Sequence, residues 1–148
     1  MDVVIYPHPS LRRGGKRVET FDQALRDTAK QMFDAMYVQR GVGLAAPQVD
    51  IDLALLVLNP TGERGQSDQE MALVNPKIIS RKGKEWGEEG CLSFPGIYGE
   101  VERSTRVVLA YQDLGGDEHE FVATDFLARV IQHEIDHIEG VVFTDRMS

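Results

Sequence analysis

The sequence predicts a single α+β domain, residues 1–148, in which antiparallel strands pack around two helices. Two segments carry apolar residues at the three- and four-residue spacing of an amphipathic helix, one near each end of the chain. Between them, short apolar runs alternate with turn residues, which is typical of strands. The length is that of one ordinary domain, and no linker, internal repeat or low-complexity segment divides it.

The first elements precede the glycine-rich segment that starts at Gly41. The residues up to about Val18 include two prolines and paired glycines, and we expect an extended strand there, followed by irregular backbone. A helix then begins at a cap provided by Thr20 or Asp22 and ends at Gly41. Its apolar face consists of Leu25, Met32, Phe33 and Met36.

Five short runs after the glycine-rich segment predict strands. They are Leu53–Leu58, Met71–Val74, Ile97–Val101, Arg106–Tyr111 and His119–Ala123. Turns are predicted between them at Asn59–Gly62, Asn75–Pro76 and Gly115–Asp117. A last helix is expected from a Thr124 or Asp125 cap to Gly140, after which residues 141–143 leave as an extended segment.

Charge and composition argue against several classes of partner. Sixteen basic and 24 acidic residues give a net charge of −8, which disfavours a chain that wraps nucleic acid or lies on an anionic membrane. No run of 18 apolar residues is present, and the first residues lack the basic and long apolar regions of a signal peptide. We therefore expect an intracellular protein with no nucleic-acid or membrane partner.

The last predicted helix contains a metal-ligand pattern, His-Glu-x-x-His, at His133, Glu134 and His137. Residues four apart lie one turn above each other on the same helix face, so the two imidazoles converge on one point. Glu134 is displaced to the flank, where it can act as a base on water at the metal. The alternative is a solvated helix in which two histidines share this spacing by chance.

A hydrolytic metal ion needs a third protein ligand and an open coordination position. The place of the third ligand in the sequence distinguishes the candidate classes of metal-dependent hydrolase. In the metzincin pattern a third histidine would stand at position 143, where this chain has Phe143. A thermolysin-like Glu from a later helix is excluded, because Glu139 is too close in sequence to His137. The best upstream donor is Cys91, in a glycine- and proline-containing segment that we expect to be non-regular.

Three rival interpretations involve the same residues. Cys91 taken alone is more often an inert core residue, and it could instead be the nucleophile of a cysteine hydrolase with a histidine base. The adjacent Glu88 and Glu89 disfavour a free thiolate, and a cysteine hydrolase would leave Glu134 without a role. A structural metal domain would need a fourth ligand, and the remaining histidines, His8 and His119, lie in predicted strand or turn segments.

Three blocks in this order resemble the signatures of the peptide deformylases. They are Gly41–Gln48 (GVGLAAPQ), Glu89–Ser93 (EGCLS) and Gln132–His137 (QHEIDH). The likeness extends from Pro9-Ser10-Leu11-Arg12 to Phe143 and so covers nearly the whole chain. The resemblance implies antiparallel strands around a central helix that bears the metal motif. It also implies a hydrolase that removes the formyl group from the N-terminal formylmethionine of nascent proteins and releases formate.

The resemblance also implies roles for residues at matching positions. Cys91, His133 and His137 would hold the metal, and Glu134 would be the acid and base. Gln48 and the backbone N–H of Leu92 would form the oxyanion hole, an arrangement that stabilises negative charge on the formyl oxygen. Val42 and Gly43 would bind the substrate peptide, and Gly43 would do so through its backbone.

A pocket for the methionine side chain is expected beside the metal. Val130 and Phe126 lie three and seven residues before His133, so they share its helix face and can line such a pocket. Plain core packing is the alternative for both residues.

The expected cofactor is one divalent metal ion. Ligand chemistry alone favours zinc at a site of one thiolate and two imidazoles. The family works with iron(II), which we expect here as the physiological metal, while zinc, nickel or cobalt can occupy such a site. The expected partners are N-formylmethionyl nascent peptides and, less directly, the ribosome exit region. The compartment is then the cytoplasm, or the interior of an organelle if a transit peptide has been removed.

A supporting ion pair is expected near the proposed ligand loop. Glu89 and Arg103 have opposite charges and both lie near the Cys91 segment in sequence. We expect them to pair and to hold the loop that presents Cys91. The alternative is two solvated surface charges.

Overall fold

The computed structural model describes all 148 residues. The helices are α1 (Ser10–Arg13), α2 (Gln23–Val38) and α3 (Asp125–Ile138). The strands are β1 (Gly43–Ala45), β2 (Leu55–Leu58), β3 (Met71–Lys82), β4 (Glu85–Cys91), β5 (Phe94–Arg103), β6 (Arg106–Gln112) and β7 (Glu118–Thr124). The strands pair antiparallel throughout, so the predicted α+β class with antiparallel strands is confirmed. None of the helices is both long and apolar enough to span a membrane.

Two sheets form the framework. The larger has the strand order β1-β2-β3-β6-β7, and the smaller is the β4–β5 hairpin. In that hairpin Cys91 pairs with Phe94, so only Leu92 and Ser93 connect the two strands. This short connection places Cys91 at the tip of the hairpin.

The larger sheet is covered by a helix on each face. Alternate residues of β2 point to opposite sides: Leu55 and Val57 join the cluster around α2, while Leu56 and Leu58 join the cluster around α3. Because β2 is buried on both faces, its sequence is a continuous apolar run instead of an alternating one. The sheet therefore positions α2 and α3 on either side of it.

Helix α3 lies between the larger sheet and the hairpin. Ala128, Ile131 and Ile135 pack in the cluster of the larger sheet. On the other side, polar side chains of α3 bond to the hairpin: His133 to Glu89 and Asp136 to Arg103. Because α3 is covered on both sides, the polar residues in and around its His-Glu-x-x-His motif are buried.

The predicted turn at Asn75–Pro76 is wrong, because β3 runs through it to Lys82. The register against β6 shifts between Val74 and Lys77, which is a bulge that admits a proline into a strand. Asn75 takes a left-handed backbone conformation there (φ 50°). Its side chain bonds to the backbone of Val18, accepting from N at 2.8 Å and donating to O at 2.9 Å.

The expected non-regular segment around Cys91 is also wrong. Its first part is β4, which pairs with β5 from Glu85 to Cys91. Glycines and acidic residues fit poorly with a strand in isolation. Their place in this strand depends on partners distant in sequence, such as Arg103 for Glu89.

Both ends of the chain differ from expectation. The opening segment forms no strand, although Val4 and Tyr6 each donate one backbone hydrogen bond to the body, and Ser10–Arg13 is a helical turn. At the other end, Val142 is extended as expected, but Phe143 already belongs to a turn of 3-10 helix (Phe143–Asp145). The predicted helix caps agree better with the structure. The Asp22 side chain accepts from the Leu25 N–H at the start of α2, and Gly140 follows α3 with φ 78°.

Candidate metal centre

The three predicted metal ligands come together at one point. His133 and His137 project from α3, and Cys91 reaches them from the tip of the hairpin. One donor atom from each residue lies within 4.8 Å of the other two, and Cys91 Sγ is 3.4 Å from Nε2 of His137. Residues 46 positions apart in sequence thus form one cluster of nitrogen and sulfur donors.

This donor set fits a divalent transition metal. One thiolate and two imidazoles leave a coordination position open, as in catalytic sites. The surrounding charges act in opposite directions on the pKa values of the two imidazoles. Burial lowers the pKa of His133, but the neighbouring Glu134, Cys91 and Glu89 outweigh it and raise the pKa to about 10. Burial and the positive charges of His133 and Arg103 hold the pKa of His137 well below its usual value, so its imidazole is a neutral donor.

Glu89 orients the His133 ring. Its Oε1 lies 2.9 Å from Nδ1 of His133, which leaves Nε2 of that ring free to bind a metal ion. Arg103 donates to both carboxylate oxygens at 2.9 Å, and Arg129 donates to Oε2 at 2.7 Å. The expected Glu89–Arg103 pair is therefore present, and both side chains are almost completely buried. Burial raises the pKa of Glu89, but the hydrogen bonds and charges of His133 and Arg103 outweigh it and lower the pKa to about 2.

Glu134 is a buried side chain next to His133 in α3. Its Oε1 has no hydrogen-bond partner in the protein, and burial raises its pKa to about 7. Gly43 lies directly against it, since a Cβ added there would stand 2.7 Å from Oε2. A carboxylate whose pKa is near neutrality can both accept and return a proton.

Gln48 presents its amide NH₂ group to the site. Its Oε1 accepts from the Ala45 N–H at 2.9 Å, which fixes the orientation of the amide. Its Nε2 lies 3.3 Å from Ser93 Oγ and 3.5 Å from Cys91 Sγ. The N–H of the neighbouring Leu92 donates to no backbone or side-chain acceptor of the protein. Gln48 Nε2 therefore lies beside Cys91, whose neighbour in the chain, Leu92, has an unpaired N–H.

A cavity of about 310 Å³ opens beside this cluster. All four residues predicted to bind substrate line it, namely Val42, Gly43, Phe126 and Val130. Val130 is buried, whereas the Phe126 side chain is about half exposed at the rim (53%).

Sequence reasoning missed several other residues that line the cavity. They are Arg40, Gly41, Glu88, Gly90, Tyr98 and Arg129. A signal for Arg129 was present, because it lies four residues before His133 and therefore on the same helix face. Because Arg129 is charged, a search for apolar pocket residues does not select it.

Comparison with known proteins identifies the family. The sequence model described as "Polypeptide deformylase" matches residues 1–148. The peptide deformylase of Rhodopirellula baltica is 43% identical over 147 residues, which cover 99% of this chain and 73% of that protein. Peptide deformylase 1B, chloroplastic/mitochondrial, of Arabidopsis thaliana is 46% identical over 149 residues, and the match spans all of this chain and 54% of that protein.

Solved structures agree with the sequence comparison. Peptide deformylase from Plasmodium falciparum superimposes with a TM-score of 0.96 at 41% identity, covering 99% of this chain and 86% of that one. Peptide deformylase from Thermotoga maritima gives 0.92 at 40% identity, covering 99% and 96%. The chain therefore belongs to the polypeptide deformylase family of hydrolases, which remove the N-formyl group from nascent peptides.

Proposed function

We propose that this chain hydrolyses the formyl group of N-formylmethionyl peptides at a metal ion held by Cys91, His133 and His137. The observation that carries the proposal is the approach of these three donors to within 4.8 Å of one another. The buried Glu134 lines the same cavity and supplies the acid and base.

The metal ion supplies Lewis acidity and makes water more acidic when bound. We propose iron(II) as the physiological ion, because the family to which the chain belongs works with it. Zinc, nickel and cobalt also suit one sulfur and two nitrogen donors, and zinc binds such donors more tightly than iron(II). Loading the protein with each metal ion and comparing formate release distinguishes iron(II) from the others.

Glu134 transfers the proton in this scheme. Its pKa near 7 lets the carboxylate take a proton from the attacking water and give it to the departing amine. Gly43 allows this because the absence of a side chain leaves room for Oε2. Its backbone then lies where an extended substrate peptide can pair with it.

Gln48 and Leu92 stabilise the charge that develops on the formyl oxygen. The amide of Gln48 is preoriented by Ala45, and the Leu92 N–H has no internal acceptor. Loss of one such donor typically costs about 3 kcal/mol of transition-state stabilisation. Both residues lie next to Cys91, so they would hold the formyl oxygen near the tip of the hairpin.

Val42, Phe126 and Val130 provide an apolar surface for the methionine side chain. They line the same cavity as Glu134, so the side chain and the formyl group of one substrate can be held together. This substrate is made by ribosomes that start with formylmethionine. We therefore propose that the protein acts in a bacterial cytoplasm or an organelle. Its substrate, the nascent chain, emerges at the ribosome exit region, which we propose as a partner.

The test is formate release from a formylmethionyl tripeptide by protein of known metal content. We expect about one metal ion per chain, loss of activity after chelation, and recovery with iron(II) under nitrogen. A cysteine hydrolase would keep its activity without metal, and a structural metal domain would release no formate. Either result would overturn the proposal.

A further inference from the structure

A second cavity lies next to the active-site cavity. It has a volume of about 410 Å³ and lies between the start of the hairpin and the start of α3. Its lining includes Trp86, Gly87 and Ser104, none of which lines the active-site cavity. Phe126 and Arg129 line both cavities, so these two side chains stand between them.

Arg129 is the fixed member of this pair. Its guanidinium donates to Glu89 Oε2 at 2.7 Å, to the Val101 carbonyl at 2.9 Å and to the Glu85 carbonyl at 2.8 Å. These acceptors belong to both strands of the hairpin, and the side chain is 16% exposed. Phe126, by contrast, is half exposed and makes no such bonds.

The hairpin is shaped to receive this guanidinium. A Cβ at Gly87 would stand 3.0 Å from both Cζ and Nη2 of Arg129, so the glycine leaves the space that the head group fills. Displacing Arg129 would break its hydrogen bonds and remove a partner from the buried Glu89 carboxylate. Such a displacement is costly, because buried polar groups that lose their partners are destabilising.

We propose that Arg129 is a specificity-determining residue that limits the depth of the pocket for the first side chain of the substrate. This inference rests on the proposed function of the active-site cavity. An unbranched side chain of methionine length fits in front of Arg129, whereas a longer one must displace the guanidinium. The second cavity lies beyond it and becomes accessible when Arg129 is shortened.

The test compares two substrates that differ only in the length of the first side chain. Metal-loaded enzyme is given a formylmethionyl tripeptide and its analogue with formyl-2-aminooctanoate, whose side chain is two atoms longer. We expect the ratio of kcat/KM for the long substrate to that for the methionine substrate to rise by about tenfold or more in Arg129→Ala. In Arg129→Lys, which keeps length and a donor, the ratio should rise less.

The ratio separates specificity from a general loss of structure. Metal loss or partial unfolding lowers kcat/KM for both substrates equally and leaves the ratio unchanged. Arg106→Ala is the control, because this arginine is exposed on β6 and lines neither cavity. If Arg129→Ala fails to fold, a raised ratio in Arg129→Lys still supports the inference.

Two results would overturn the inference, and they can be told apart. An unchanged ratio in both Arg129 variants, with formylmethionine still cleaved, would overturn the role of Arg129 alone. If metal-loaded wild-type protein released no formate from the methionine substrate, the proposed function would fall and the inference with it.

Discussion

Glu89 Oε1 lies 2.9 Å from His133 Nδ1, and Arg103 donates to the same oxygen at 2.9 Å. Arg103 also donates at 2.6 Å to Asp136, which follows His133 by three residues in α3. Asp136 in turn accepts two hydrogen bonds from Arg146. The orientation of one proposed ligand therefore depends on a buried chain of charges that links the hairpin, α3 and the C-terminal residues.

Arg103→Ala should weaken both the fold and the metal site. Removing one partner leaves Glu89 and Asp136 buried with fewer cations, which typically costs about 3–5 kcal/mol of unfolding free energy. Metal affinity should fall about 10–100-fold because His133 is less well oriented. Denaturant titration and competition with a chelator measure the two effects.

Arg106→Ala serves as the comparison for Arg103→Ala, since its side chain is exposed on the next strand. It should leave both quantities near the wild-type values. Wild-type metal affinity and activity in Arg103→Ala would mean that the ion pair has no part in holding the site.

Glu134→Ala should keep stoichiometric metal and lose hydrolysis by a factor of about 10²–10⁴, because the group that moves the proton is gone. Metal analysis and formate release on the same sample give both values. Glu139→Ala, an exposed carboxylate just after the end of α3, should behave like wild type. Near-normal turnover by Glu134→Ala would show that another group is the base.

Gly43→Ala should also impair hydrolysis while preserving the fold. The new Cβ would stand 2.7 Å from Glu134 Oε2, so the carboxylate must move from its place. We expect kcat/KM to fall at least about tenfold, since small displacements of catalytic groups are costly. Gly65→Ala is the matched control, because a Cβ there meets no atom within 4 Å. Equal activity of the two variants would contradict the close approach of Gly43 to Glu134.

Asn75→Ala should lower the free energy of unfolding by about 3 kcal/mol without affecting the active site. It removes the bonds to Val18 and a 2.7 Å bond to Gln112, and it puts alanine at a left-handed φ of 50°. Asn75→Gly removes the same bonds but adopts this φ freely, so it should lose about 1 kcal/mol less. Urea denaturation with an unchanged m-value checks both. Equal losses would mean that the backbone conformation contributes nothing.

Loss of activity in air should follow the metal and not the fold. Iron(II) next to the Cys91 thiolate exposes both an oxidisable ion and a sulfur to oxygen. The nickel form should hold its activity where the iron form decays, while both unfold at the same temperature before exposure. Formate release over time in air and under nitrogen gives the comparison. The same decay rate for both metals in air would rule out iron oxidation as the cause.

The sequence predicts the parts of the site that depend on local spacing. His133, Glu134 and His137 occupy one helical segment, and helical geometry alone predicts that the two imidazoles converge. Val130 and Phe126 follow from the same periodicity, as would Arg129 if charged residues were considered. Position on a helix face does not depend on contacts with distant segments.

Strand β4 could not be predicted from its own sequence, because the contacts that stabilise it involve residues elsewhere in the chain. Gly87 makes room for Arg129, Gly90 lies beneath the Tyr98 ring, and Glu89 is buried because Arg103 reaches it. Strand β3 beyond Val74 depends in the same way on the side-chain bonds of Asn75 at the bulge. In both strands, contacts between distant residues override local preference.

The two-residue connection between Cys91 and Phe94 has a consequence for evolution of the family. Leu92 lines the active-site cavity, Ser93 contacts Gln48, and Cys91, just before the turn, contacts His137. An insertion of one residue would lengthen this turn and move Leu92 and Ser93 away from these positions. Length variation among homologues should therefore be absent from this turn and concentrated in exposed loops such as Gly115–Asp117.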